Sequence, residues 1–210
     1  MCEAWILSLP SIYSLKPAFQ GLLRPVARGL AGAGVTANQV TLAAMLLSVV
    51  VGAAIAWAPT AAWPLLLVGP WLFARMALNA IDGMLAREHG QKSALGGILN
   101  EIGDVISDSA LYLPFALVPG FNHTLTVIVV ILAILTEMTG VVCAQIGASR
   151  RYDGPFGKSD RAFVFGALGL VLGLGLAPGP WITWVLVAMI AMSMATIVNR
   201  ARRGIRDVRR

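Results

Sequence analysis

The chain has 210 residues, is 58% hydrophobic and only 12% charged, and has a mean hydropathy of +0.78. A soluble domain carries about twice that charged fraction; with apolar runs of roughly 20 residues, this composition excludes an ordinary soluble domain and indicates a polytopic membrane protein. The net charge of +6 comes from basic residues beside the apolar runs, which argues against nucleic acid as a partner and for membrane lipids or a phosphorylated substrate.

Residues 1–37 read as a juxtamembrane segment. Positions 12–30 carry Leu15, Phe19, Leu22, Leu23, Val26 and Leu30 at helical spacing, with Lys16, Arg24 and Arg28 among them. That pattern fits an amphipathic helix on the membrane surface and equally one packed on a helix bundle. No basic stretch followed by an apolar core and a small-residue cleavage site is found at the start, so no cleaved signal peptide is expected. Cys2 and Cys143 are too few for a disulfide framework and read as free thiols.

Residues 38–199 read as a bundle of six transmembrane helices. Thr36 or Asn38 caps the first, over 40–57, and Pro59 ends it. The second runs over 62–87, the third over 94–118, the fourth over 123–148, the fifth over 160–177 and the sixth over 181–198. Residues 200–210 form a basic tail suited to anionic lipid. Every Lys and Arg except Arg75 falls at the ends of spans that face one side. Both termini are therefore expected on the cytoplasmic side of the cell's inner membrane, with the 79–108 stretch. Arg75 and Glu137 lie inside spans and are expected to neutralise each other, since a lone buried charge costs several kcal/mol.

The stretch NAIDGMLAREHGQKSALGGILNEIGDVISD, residues 79–108, carries the chemistry. It holds Asp82, Glu88, Glu101, Asp104 and Asp108, half of the ten acidic residues. Residues four apart on a helix differ by about 40° in direction. Asn100, Asp104 and Asp108 therefore form a stripe, with Glu101 beside it, and Asn79 and Asp82 form a second patch. The polar turn at His89–Ser93 makes the two helices antiparallel, so the patches can face each other. Oxygen donors at this density, with no Cys or His cluster, suit Mg²⁺ or Mn²⁺, as one ion or two. His89 and His123 read as solvated.

The spacing resembles the signature of the CDP-alcohol phosphotransferases, D-x2-D-G-x2-A-R-x8-G-x3-D-x3-D. Asp82-Gly83, Ala86-Arg87, Gly96 and Asp104 match it, while Asn79 and Asn100 stand where the signature has aspartates. The resemblance implies metal-dependent transfer of a phosphatidyl group from a CDP-linked donor, usually CDP-diacylglycerol, to an acceptor alcohol, with release of CMP. It implies Asp82 and Asp104 as metal ligands and Asp104 as general base. Gly83 and Ala86 would give the nucleotide room, Gly96 would belong to the donor site, and Arg87 would contact donor phosphate. It also implies a homodimer. Asn79 and Asn100 would serve as neutral ligands, with Asp108 and Glu101 restoring the missing charge; a single-ion or inactive relative is the competing reading. Arg150, Arg151, Lys158 and Arg161 would hold a phosphate on the acceptor, or else touch lipid headgroups. A cation or proton transporter would spread its acids across the membrane depth, whereas these gather at one mouth, apart from Glu137.

Overall fold

The computed structural model describes residues 16–209, with side chains from Phe19 onward. Positions 12–15 of the expected N-terminal helix, the Lys16 side chain, Cys2 and Arg210 lie outside the described residues. Within them the chain is all-α, in the order α1 (Lys16–Gly32), α2 (Ala37–Trp57), α3 (Ala62–Glu88), α4 (Ala94–Tyr112), α5 (His123–Gln145), α6 (Lys158–Gly173) and α7 (Pro180–Val208). A 3-10 turn, Leu113–Leu117, continues α4.

Local chemistry sets the helix starts. Thr36 accepts from the Gln39 backbone while the Gln39 side chain accepts from the Thr36 backbone, a reciprocal cap for α2. Ser93 caps α4 through the Gly96 N–H at 3.0 Å, and Asn122 caps α5 through the Leu125 N–H at 3.0 Å. Gly90, at φ 68°, makes the tight turn between α3 and α4.

Among the described residues four helices, α2, α3, α5 and α7, are long and apolar enough to cross a membrane. The six spans expected from sequence include two that do not meet that standard. Polar Asn100, Glu101, Asp104 and Asp108 dilute α4. At 16 residues, α6 is roughly 24 Å long. The apolar faces left exposed include Trp57, Phe73, Phe163 and Trp184, as expected of side chains meeting lipid.

Close approach, more than hydrophobic transfer, holds such helices together, because lipid is as apolar as leucine. α2 lies against both α3 and α4, α3 against α6, and α5 against α7, while direct α3–α4 packing is sparse. A Cβ on Gly52 would collide with the Ala110 carbonyl oxygen, so glycine is what lets α2 touch α4. On α6, a Cβ on Gly169 would sit 2.8 Å from the Leu65 carbonyl oxygen of α3.

The helices alternate in direction, and their halves segregate. Ile55, Leu65, Val68, Leu111, Tyr112, Phe115, Val129, Phe165, Ile182 and Leu186 form the apolar half. The start of α2, the end of α3, the start of α4, the end of α5, the start of α6 and the end of α7 meet in the other half, which holds the buried charges. At that end α1 packs Leu23, Ala27 and Leu30 on Ile81, Met84 and Leu85 of α3. Arg24 clamps Glu88 there at 3.0 and 3.1 Å, and the guanidinium pKa is raised by that partner. Leu22 and Val26 on the other face of α1 stay exposed.

The basic segment after position 199 does not leave the bundle as a tail. It forms the last turns of α7, and Arg200 within it is only 2% exposed.

Candidate active site

α3 and α4 pack sparsely on each other while α2 packs on both, and polar side chains of α3 and α4 bridge the gap between them. The Asn79 amide donates to Asp104 Oδ1 at 3.0 Å. One turn before Asn79, Arg75 donates to Asp108 Oδ1 at 2.5 Å, to the Asp104 carbonyl oxygen at 3.1 Å and to Asp104 Oδ1 at 3.3 Å. Lys158, at the start of α6, pairs with the same Oδ1. Asp82, one turn beyond Asn79, is buried and accepts from the Thr41 hydroxyl of α2 at 2.8 Å.

The small residues have visible uses. The Arg87 guanidinium folds back over Gly83, and a Cβ there would lie 2.8 Å from Arg87 Nη2. A Cβ on Gly96 would lie 2.8 Å from Asn38 Oδ1, so α2 and α4 converge beside the site. Ala86 on α3 and Asn100 on α4 are half-buried. Gln91, in the turn, accepts from the Ala37 N–H at 2.6 Å and fixes the turn to the start of α2.

Behind this lies a layer of ion pairs. Arg161, wholly buried, donates to Glu137 at 2.8 Å and lies 3.7 Å from Asp108. Arg150 pairs with Glu101 and lies 3.7 Å from Glu137. Arg200 lies 3.7 Å from Glu137 and donates to the carbonyl oxygens of Thr136, Tyr152 and Asp153 at 2.5, 3.3 and 3.2 Å. The expected Arg75–Glu137 pair does not form. Arg75 takes Asp108 and Asp104 on neighbouring α4, and Glu137 takes arginines from α6, α7 and the preceding loop. Both intramembrane charges are neutralised, but by other partners.

Of the four basic residues expected to act together, Arg150, Lys158 and Arg161 converge on the acids of α4 and α5. Arg151 turns instead to Asp207 and to the Arg203 carbonyl oxygen of α7. Arg200, read from sequence as tail, belongs with the buried group. Its signal was the stripe Ser193, Thr196, Arg200 and Gly204, at spacings of three and four along the buried face of α7.

No group of three or more His, Cys, Asp or Glu side chains among the described residues is arranged to hold a metal ion. Glu101 and Asp108 are committed to arginines. Asp104 and the Asn79 amide meet between α3 and α4, Asp82 lies one turn beyond Asn79, and Asn100 is half-buried on α4 one turn before Asp104. Their oxygens are hard donors of the kind a divalent cation takes, and Asp104 already carries the Arg75 and Lys158 cations on one oxygen.

Residues 34–198 match the CDP-alcohol phosphatidyltransferase family, and the chain belongs to that family of CDP-alcohol phosphotransferase enzymes. It is 46% identical over 196 residues to the inner membrane protein YnbA of Escherichia coli K12, covering 91% of this chain and 95% of that one. It is 26% identical to a phosphatidylinositol phosphate synthase of Mycobacterium marinum, covering 88% of this chain and 77% of the relative. Two crystal structures of the Mycobacterium tuberculosis phosphatidylinositol phosphate synthase share the fold. One, in complex with manganese and citrate, superposes with a TM-score of 0.72 at 21% identity, covering 86% of this chain and 87% of the other. The second, with CDP-DAG bound, gives 0.68 at 21% identity, covering 88% and 92%.

Proposed function

We propose that the chain transfers a phosphatidyl group from CDP-diacylglycerol, or a related CDP-alcohol, to an acceptor alcohol at the cytoplasmic face of the inner membrane. The observation that carries this reading is the contact between Asn79 and Asp104 across α3 and α4, with Asp82 one turn away. Asp82 and Asp104 match the signature that the chain resembles, and Asn79 stands at one of its aspartate positions. Manganese and CDP-DAG in the two structures of similar fold support the same chemistry.

The donor set fits a divalent ion, Mg²⁺ or Mn²⁺, held by Asp82 and Asp104 with the amide oxygens of Asn79 and Asn100. Such an ion, when bound, would neutralise charge on the donor diphosphate. Asp104 takes the proton of the acceptor hydroxyl, whose oxygen forms a bond to the phosphorus distal to the cytidine. The bond from that phosphorus to the bridging oxygen breaks, and CMP leaves with that oxygen. Gly83, Ala86 and Gly96 keep backbone accessible to the donor, and Arg87 meets a donor phosphate. Asp108 and Glu101 stand behind the site, orienting Arg75, Arg161 and Arg150.

Arg150, Lys158 and Arg161 hold a phosphate on the acceptor, with Arg151 at the edge of the group. Buried Arg161 has Nε and Nη1 without hydrogen-bond partners among the described residues, which supports an anion in its neighbourhood. The six-span arrangement, both termini cytoplasmic, α1 on the membrane surface and a homodimer complete the proposal. The dimer rests on family resemblance alone.

Release of CMP from CDP-diacylglycerol by purified protein, with and without Mn²⁺ and across a panel of free and phosphorylated polyols, tests this reading. Metal-dependent release is expected, and Asp104→Asn should lower it at least about a hundredfold with the fold intact. Absence of metal-dependent release with every acceptor would leave an inactive relative.

A further inference from the structure

Asp104 accepts every one of its side-chain contacts on a single oxygen. Arg75, Asn79 and Lys158 all converge on Oδ1. Among the described residues none of the polar contacts falls on Oδ2. A carboxylate oxygen offers two lone pairs, so three donors saturate that side. The three donors also differ in mobility. Lys158 is 27% exposed and sits at a helix start, so it can swing away. Arg75 is 3% exposed and is held at once by Asp108 and by the Asp104 carbonyl oxygen. It is a fixed positive charge.

Resting on the proposed transferase reading, we infer that the cations of Arg75 and Lys158 stand in for a second metal ion, and that the site takes a single divalent ion on the Oδ2 side of Asp104. The two asparagines agree with this. The Asn79 amide supplies an N–H to Oδ1, where a carboxylate would meet Asp104 as a like charge unless a cation lay between them. Removing charge at 79 and 100 and placing a guanidinium on Oδ1 are complementary changes in one electrostatic balance. A second divalent ion on that side would face the Arg75 guanidinium, 3.3 Å from the same oxygen.

Calorimetric titration of the detergent-solubilised full-length protein with MnCl₂, in the presence of CDP, reads this directly. The expected stoichiometry is one ion per chain. The substitution Lys158→Gln removes one of the repelling charges and should tighten that single site roughly tenfold. Two ions per unsubstituted chain, or an unchanged affinity in Lys158→Gln, would overturn the inference. Two ions together with retained CMP release would overturn the inference only. No ion bound and no CMP released would remove the transferase reading beneath it.

Discussion

Glu137 is the residue on which the buried charges balance. Its carboxylate faces Arg161 at 2.8 Å and Arg150 and Arg200 at 3.7 Å. Arg161 and Arg200 are 0% and 2% exposed. Taking one partner from a buried ion pair leaves a charge with no compensation and costs about 3–5 kcal/mol. Glu137→Gln is therefore expected to destabilise the solubilised protein by that order, read by thermal unfolding in detergent. Replacing Glu137 and Arg161 together by methionine should recover part of the loss, because an apolar pair of similar volume leaves fewer orphaned charges. A Glu137→Gln protein within about 0.5 kcal/mol of the parent would show that Arg161 relies on Asp108 alone. The sequence showed that Arg75 and Glu137 needed partners. It did not show which ones, because a guanidinium reaches any acid within a side chain's length, and helix packing decides which acid that is.

Helix contacts carry the next level of control, and glycine sets them. α2 packs on both of the helices that bear Asp82 and Asp104, so its distance from α4 bears on the width of the gap between them. Gly52→Ala places a methyl against the Ala110 carbonyl oxygen. Overpacking of this kind costs about 1–3 kcal/mol, and CMP release should fall with stability as the gap widens. Gly29→Ala in α1 meets nothing within 4 Å, and helix propensity alone should make it stabilising by about 0.5–1 kcal/mol. Equal effects from the two substitutions would mean that crowding at the α2–α4 crossing is not what fixes their separation. Helix existence was largely legible beforehand: Thr36, Pro59, Ser93, Pro119 and Pro178 punctuate apolar runs, and most observed ends lie near the expected ones. The contact between Asn79 and Asp104 is what helical spacing and a short turn lead one to expect. Two things were not legible. Hydropathy stops at residue 198, but helical hydrogen bonding does not, so α7 runs on through its basic turns. Periodicity within α3 and α4 says nothing about a third helix packed on both, so the role of α2, and of Thr41 on Asp82, appears only in three dimensions.

At the scale of the whole molecule, one half of the bundle is apolar and the other half holds the site, α1, the α3–α4 turn and the loop between α5 and α6. Basic residues follow the same division. Arg24, Arg87, Lys92, Arg150, Lys158 and the arginines of late α7 all lie at the site's end, while the turns joining α2 to α3, α5 to its preceding 3-10 turn and α6 to α7 carry none. Cationic loops stay on the cytoplasmic side, so the site should open to the compartment that supplies a nucleotide-linked donor. Labelling of single cysteines with a membrane-impermeant maleimide checks this. In a background with Cys2→Ser and Cys143→Ala, Thr60→Cys in the α2–α3 turn should react in intact spheroplasts. Ser149→Cys in the loop after α5 should react only once the membrane is opened, and the pattern should reverse in inverted vesicles. Reaction of both positions from one side would put the α2–α3 turn beside the site's loops, and the alternating path of the helices through the bilayer could not then be right.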